Sequence, residues 1–483
     1  MSEGTRVRAS LSTPKIVFIV VAAAAPLAAI VGSVPLMFAR GNGVGVPAAF
    51  VLAAVTLGLF AVGYAAMARR VVNTGAFYTY IAHGLGKRAS VVAAFVAVIA
   101  YNAQTVGIVG GFGFFTQLGT KLPWGIAALV AVVVVGVLGY RSVDVSARVL
   151  AVLMVLEMAL LGLLDVAVIV RLGGRAFPLD SFSPHVALSA GLPIALLFAF
   201  SCFIGFESAA LYAEETRDPD RAIPRATYAA ITLIGVFYSL TAWVAVGAEG
   251  QAGISGLHGE TSDQIGKLFF NLMKVYVGDW ASTLMGLMVL TSLLAAILAT
   301  HNAAARYLFA LGRERVLPNR LGRLHITHQS PHTASLTQTG FNLVVVLLFL
   351  VAGLDPYVGL ASSMIGFGTT GIVLLQAGAA VAVVAYFRRF GGGHWFRTGL
   401  APALGAVGLI TAVVLTATHF SLLTNSHSVV LNLLPLGYVI AAVAALWHGH
   451  YLRTRQPDVY AGIAGNEMRD LLTGEAAERG AAE

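Results

Sequence analysis

Apolar runs long enough to cross a bilayer recur along the whole chain, separated by short breaks that carry charge, Gly or Pro. About 20 mainly apolar residues suffice for one transmembrane helix. Read this way, the spans fall at 15–38, 46–68, 89–117, 123–140, 147–170, 190–212, 226–248, 279–301, 335–353, 357–387, 401–418 and 428–448. The pattern predicts an all-α polytopic membrane protein with about twelve transmembrane helices. The stretch 249–278 is the longest loop on the outer side, and its mixed segment 264–277 suggests an interfacial helix. The segment after Arg453 turns polar.

Composition removes the soluble alternative. Of 483 residues, 58% are hydrophobic and only 11% charged, against about 25% charged in soluble domains. Such a chain could not cover a water-facing surface. The formal net charge is +8, but in a membrane protein its distribution matters more than its sum. If the spans alternate from a cytoplasmic N-terminus, the cytoplasmic segments hold twenty-four of the 30 Lys and Arg residues. That bias places both termini in the cytoplasm. Arg6, Arg8 and Lys15 precede an apolar run too long for a signal-peptide core, so a span is expected there rather than a cleaved leader. The single cysteine, Cys202, permits no intrachain disulfide.

Two spans carry interruptions. The first contains Ala25-Pro26 and then Ile30-Val31-Gly32-Ser33-Val34-Pro35. Each Pro removes a backbone donor, and Gly32 lowers helical propensity between them. The sixth contains Ser201-Cys202-Phe203-Ile204-Gly205-Phe206-Glu207. Unwound backbone is expected at 30–33 and at 203–206, the two breaks facing each other. Matched interruptions mark the substrate site of inverted-repeat transporters. A half-helix N-terminus suits a carboxylate, and free carbonyls suit an ammonium or a cation.

Four stretches resemble motifs of the amino acid–polyamine–organocation superfamily. They are Ile30-Val31-Gly32-Ser33, with Val34 replacing a final Gly; Asn73-Thr74-Gly75-Ala76-Phe77-Tyr78-Thr79-Tyr80; Phe203 to Ser208 with the following Glu214-Glu215 and Arg217 to Ala226; and Ala305 to Arg313, ending in Leu317-Pro318. The resemblance implies a transporter domain at 15–453 between cytoplasmic tails 1–14 and 454–483. Within it lies a five-plus-five inverted repeat, 15–170 and 190–387, with two added helices at 401–448. Substrate would sit between the breaks, against Ala29, Ile30, Val31, Gly32 and Ser33 of span one and Cys202, Phe203, Ile204, Gly205 and Phe206 of span six. Asn102 takes a lining position by the same resemblance, and spans three, eight and ten close the pocket.

Acids inside the membrane are Glu157, Asp165 and Glu207, and each should face the bundle. Glu157 lies near mid-bilayer, where several relatives place a lysine. It is a candidate proton carrier or cation ligand, or a buried acid satisfied by hydroxyls; Thr291, Ser292 and Thr300 on span eight are candidate partners. Asp165 reads as structural. Glu207, also Glu in many relatives, is expected to hold the unwound segment through backbone hydrogen bonds. Arg306 and Arg313 could gate the cytoplasmic side by pairing with Glu214 or Glu215, or simply anchor the bilayer face. Tyr101, Asn102, Gln104 and Thr105 form a polar cluster on span three. The run Gly110-Gly111-Phe112-Gly113 reads as close helix packing.

The function expected is a permease moving amino acids across the plasma membrane by alternating access, as a proton-coupled symporter or an exchanger. Sodium is the rival ion. A polyamine or cationic amino-acid transporter is the alternative, and a transporter-like nutrient sensor is an alternative of another class. No enzyme motif, cofactor, metal site or nucleic-acid partner is expected; the partners are a small-molecule substrate and the bilayer. Small and apolar residues around the breaks favour neutral amino acids.

Overall fold

The computed structural model describes residues 13–71, 76–141, 147–207, 219–328, 330–424 and 429–465. Among these residues all regular structure is helical. In chain order the helices are α1 (Thr13–Ala23), α2 (Pro26–Arg40), α3 (Val46–Ala68), α4 (Ala76–Leu85), α5 (Lys87–Thr120), α6 (Trp124–Tyr140) and α7 (Ala147–Leu172). They continue with α8 (Leu192–Phe203), α9 (Pro219–Gly256), α10 (Leu268–Tyr276), α11 (Asp279–Arg313), α12 (His332–Val351), α13 (Ser362–Phe390), α14 (Ala401–Thr418) and α15 (Leu436–Arg455). Among the described residues eight apolar segments are long enough to cross a membrane, and α2, α6 and α8 are shorter apolar helices. The protein is therefore an all-helical, multi-pass membrane protein.

The apolar surface is distributed as lipid requires. Val55, Val236, Val407 and Ile440 are each more than half exposed, which only a lipid-facing position explains at this density. The polar side chains turn inward instead: Thr105, Gln338, Asn342, Ser362 and Thr369 are fully buried.

Helices α5 and α13 form the centre, joined by glycines that let backbones approach. A Cβ on Gly107 would stand 2.6 Å from the amide nitrogen of Ile365, and one on Gly368 2.7 Å from that of Gln104. Gly110 and Gly113, from the glycine run on α5, serve the same purpose against Leu360 and Trp124, as packing predicts. Gly111 differs, with only Leu293 nearby at 3.8 Å.

Both expected interruptions involve real breaks, but the first lies elsewhere. Residues 30–33 are helical, inside the continuous helix α2. The break is at Ala24–Ala25, where Ala25 adopts φ 45°, ψ 68° and Pro26 opens α2. The reason is local. A proline disfavours the α conformation in the residue before it and carries no N–H to extend a helix. Gly32 costs a helix only about 1 kcal/mol, and its carbonyl accepts a hydrogen bond from the Tyr357 hydroxyl at 2.8 Å. The sixth span breaks inside the expected stretch 203–206, at Ile204 and Gly205, while Phe203 is still helical. Helix α8 ends at Phe203, and Gly205 takes φ 116°, a conformation that glycine alone adopts readily.

Candidate functional site

The C-terminus of α1, the N-terminus of α2 and the C-terminus of α8 converge at one depth. A cavity of about 80 Å³ lies between them. Ala25, Ala29 and Ser33 line it from the first span, and Ser201, Cys202 and Ile204 from the sixth. Helices α5, α11 and the turn Pro356–Ala361 ahead of α13 complete the wall through Gln104, Phe115, Leu293 and Tyr357. These are the third, eighth and tenth spans expected to close the pocket. Gly32 and Gly111 are the small residues that leave the space open.

Of the residues singled out in the sequence, Ala29, Gly32, Ser33, Cys202 and Ile204 line the cavity. Ile30, Val31, Phe203 and Phe206 are buried in the packing behind it. The Asn102 amide turns back to the Val98 carbonyl of its own helix, at 2.7 Å. Two positions further on, Gln104 faces the cavity and donates to the Ser201 hydroxyl at 3.0 Å. Gln104 was visible as part of a polar cluster, but nothing in the spacing separates its face from that of Asn102 without the position of the break.

The positive end of α2 is already occupied. The Leu27 amide donates to Glu157 Oε2 at 3.2 Å. The Ala28 amide donates to Ser292 Oγ at 3.3 Å, and that hydroxyl donates to the same Glu157 oxygen at 2.9 Å. A helix start leaves four backbone donors without intrahelical partners. Here Pro26 supplies no donor, Glu157 and Ser292 satisfy two amides, and the Ala29 amide reaches the Ala25 carbonyl at 2.9 Å. Glu157 thus ties α7 and α11 to the first-span break. Of the candidate hydroxyls on α11, only Ser292 meets it; Thr291 and Thr300 bond their own helix.

Glu207 holds the second break. One carboxyl oxygen accepts from the Gly205 amide at 3.0 Å, and the other from the Tyr101 hydroxyl at 2.9 Å. Tyr64 reaches the Glu207 carbonyl at 3.2 Å. Tyr101 stacks on Tyr307 at 5.3 Å, so the unwound segment is braced against α3, α5 and α11 together. Asp165 accepts from the Thr241 hydroxyl at 2.8 Å, tying α7 to α9. Arg306 is exposed at the end of α11; its expected partners Glu214 and Glu215 lie outside the described residues.

Tyr357, like Phe115 and Leu293, lines the cavity without having been singled out in the sequence. Asp355 caps its turn by accepting from the Tyr357 and Val358 amides at 2.8 and 2.7 Å, and Pro356 takes the first helical position, where its missing donor costs nothing. The ring lies flat on Phe114 at 4.4 Å and edge-on to Phe115 at 5.6 Å. The Asp-Pro pair was the available signal.

A cavity between two broken helices suits binding and release of a small molecule. The comparisons with known proteins agree. A family model described as "Amino acid permease" matches residues 11–370. A branched-chain amino acid permease of Bacillus subtilis is 22% identical over 364 residues, covering 71% of this chain and 74% of that protein. Its counterpart in Lactococcus lactis is 22% identical over 360 residues, 70% and 73% of the two chains. A low-affinity putrescine importer of Escherichia coli is 24% identical over 346 residues, 67% and 70%. The chain belongs to the amino acid permease family and is a membrane transporter, not an enzyme.

Proposed function

We propose that the protein carries a neutral amino acid across the plasma membrane by alternating access, with both termini cytoplasmic and twelve spans arranged as a five-plus-five inverted repeat plus two helices. The observation that carries this reading is the cavity between the two breaks, lined by Ala25, Ala29, Ser201 and Ile204. The C-termini of α1 and α8 bring their negative ends to it, which suits an ammonium group. The apolar walls of Phe115 and Leu293 suit an aliphatic side chain, in keeping with the branched-chain permeases among its relatives. At about 80 Å³ the space is smaller than the roughly 150 Å³ that holds a benzene ring in an apolar protein cavity. The conformation is therefore contracted around the site, and a branched side chain requires its walls to move.

A second reading, a cationic amino acid or polyamine as substrate, draws on the two helix C-termini and on the putrescine importer among the relatives. Among the described residues no acid lines the cavity, which favours neutral substrates.

Glu157 is the proposed coupling group. It sits behind the first-span break and holds α2 by two routes. As a carboxylate it offers full charge to the α2 N-terminus; protonated, it offers less, and the break is freer to move. Uptake into proteoliposomes under an imposed pH gradient, a sodium gradient, or internal amino acid alone tests the whole reading. Accumulation should follow the pH gradient, driven inward when the outside is more acidic. Glu157→Gln should lose that accumulation and retain exchange of substrate for substrate. Continued accumulation by the variant under a pH gradient alone would remove Glu157 from the coupling role. Polyamine uptake without amino-acid uptake would favour the second reading.

A further inference from the structure

A second recess lies apart from the cavity between the two breaks. It is a groove of about 510 Å³ on the outer wall of the bundle, where α3 crosses α9. Val51, Val55 and Gly58 form one side, and Tyr228, Val236 and Trp243 the other. Val55 is 57% exposed and Val236 63%, so the groove opens toward lipid and not toward the transport path. Gly58 leaves room in the groove, with nothing within 4 Å of where a Cβ would stand. From Tyr228 to Trp243 it follows fifteen residues of α9, roughly 22 Å at 1.5 Å per residue.

The two ends differ. At the far end, Trp243 donates its indole N–H to the Pro178 carbonyl at 2.9 Å and packs edge-on against Phe182 at 4.9 Å, closing the groove with rings. At the other end stands the Tyr228 hydroxyl, and the guanidiniums of Arg69 and Arg397 both act on it electrostatically. Arg69 ends α3, and Arg397 lies in the turn Trp395–Leu400, which packs on α3. Both arginines are exposed. An apolar channel that begins at two cations and a phenol matches one occupant in a bilayer. Its acyl chain fills the channel and its phosphodiester meets the cations.

We propose that this groove binds an anionic phospholipid from the leaflet at the Arg69–Arg397 end, with its headgroup between those arginines and Tyr228 and one acyl chain along Gly58. The bound lipid rests against α3 and α9, shares no lining residue with the cavity between the breaks, and requires nothing of the substrate assignment.

The test is native mass spectrometry of the full chain released from nanodiscs that contain equal phosphatidylglycerol and phosphatidylcholine of the same chain length. Wild type should retain phosphatidylglycerol selectively. Arg69→Gln with Arg397→Gln should lose that preference by roughly tenfold while still binding some of either lipid. Gly58→Leu, which fills the channel, should lower retention of both lipids by roughly tenfold. If Gly58→Leu does not fold, Val55→Trp fills the same groove from its exposed rim. Unchanged phosphatidylglycerol retention in the arginine pair and the groove-filling variant would overturn the proposal. So would an equal loss of selectivity in Arg453→Gln with Arg455→Gln, because the attraction would then belong to the whole basic face. Selective retention of inorganic phosphate without lipid would place an anion site there but no lipid site.

Discussion

A carboxylate buried beside a helix start has two separable properties, an acceptor oxygen and a charge, and Glu157 allows them to be pulled apart. Glu157→Gln keeps an oxygen for the Leu27 amide and for Ser292. Glu157→Ala removes it and leaves buried donors unpaired, at a cost of about 1–3 kcal/mol. Melting of the detergent-solubilised protein should therefore drop clearly for Ala and little for Gln; equal losses would show that the charge, not the acceptor, holds α2. Gly205 is the other decisive residue. At φ 116° a side chain costs about 1–3 kcal/mol of strain, and the Gly205 amide is the one that Glu207 holds. Gly205→Leu should abolish transport at near-normal expression, and normal uptake by this variant would count heavily against the site. Glu157 and Gly205 could both be picked out in the sequence for the same reason. An acid in mid-span and a glycine beside a second acid are unusual enough in lipid to stand out without knowledge of any partner. Ser292 could not be distinguished from Thr291 and Thr300, because only the packed rotation of α11 decides which hydroxyl faces inward.

At the scale of the element, the two breaks show what a sequence can and cannot rank. In the first span, Gly32 and two prolines compete for the interruption. Pro26 wins because it constrains the residue before it as well as removing a donor. Pro35 is accommodated inside α2. Gly32 serves a different end, keeping the cavity open beneath Phe115. The shift of the break by one to two turns brings Ala24 and Ala25 to the cavity wall and leaves Ile30 and Val31 in the packing behind it. The glycine run on α5 makes a sharper test of element packing. A Cβ on Gly110 would stand 2.8 Å from the Leu360 side chain, whereas one on Gly111 would meet only Leu293, at 3.8 Å, and Gly111 lines the cavity. Gly110→Val should overpack the α5–α13 junction and lower stability by about 1–3 kcal/mol. Gly111→Val should leave melting nearly unchanged, yet shrink the site and depress uptake of large aliphatic substrates more than that of small ones. A thermal melt and a competition series with glycine, alanine and leucine separate the two, and matching behaviour of both variants would contradict the assignment of their faces.

At the scale of the whole molecule, orientation follows from charge and can be read chemically. Exposed cations mark the ends where α3, α13 and α15 close, with Arg69 and Arg70 after α3, Arg388 and Arg389 closing α13, and Arg453 and Arg455 closing α15. Positive charge in short loops is retained on the cytoplasmic side, so these ends should face the cytoplasm. Cys202 is the only cysteine of the chain and is buried, so a Cys202→Ser background gives a clean starting point for single-cysteine labelling. Gln251 and Arg323 are exposed and lie beyond opposite ends of α11, while Thr454 follows four further spans and is also exposed. In intact cells a membrane-impermeant maleimide should label Gln251→Cys. Arg323→Cys and Thr454→Cys should react only after the membrane is permeabilised. The three positions together test more than handedness. An odd number of crossings must separate Gln251 from Arg323, and an even number must separate Arg323 from Thr454. Labelling of Thr454→Cys from outside, with Arg323→Cys protected, would mean that one of the segments α12 to α15 does not cross, and the twelve-span arrangement would fail at its C-terminal end while the broken-helix site remained intact.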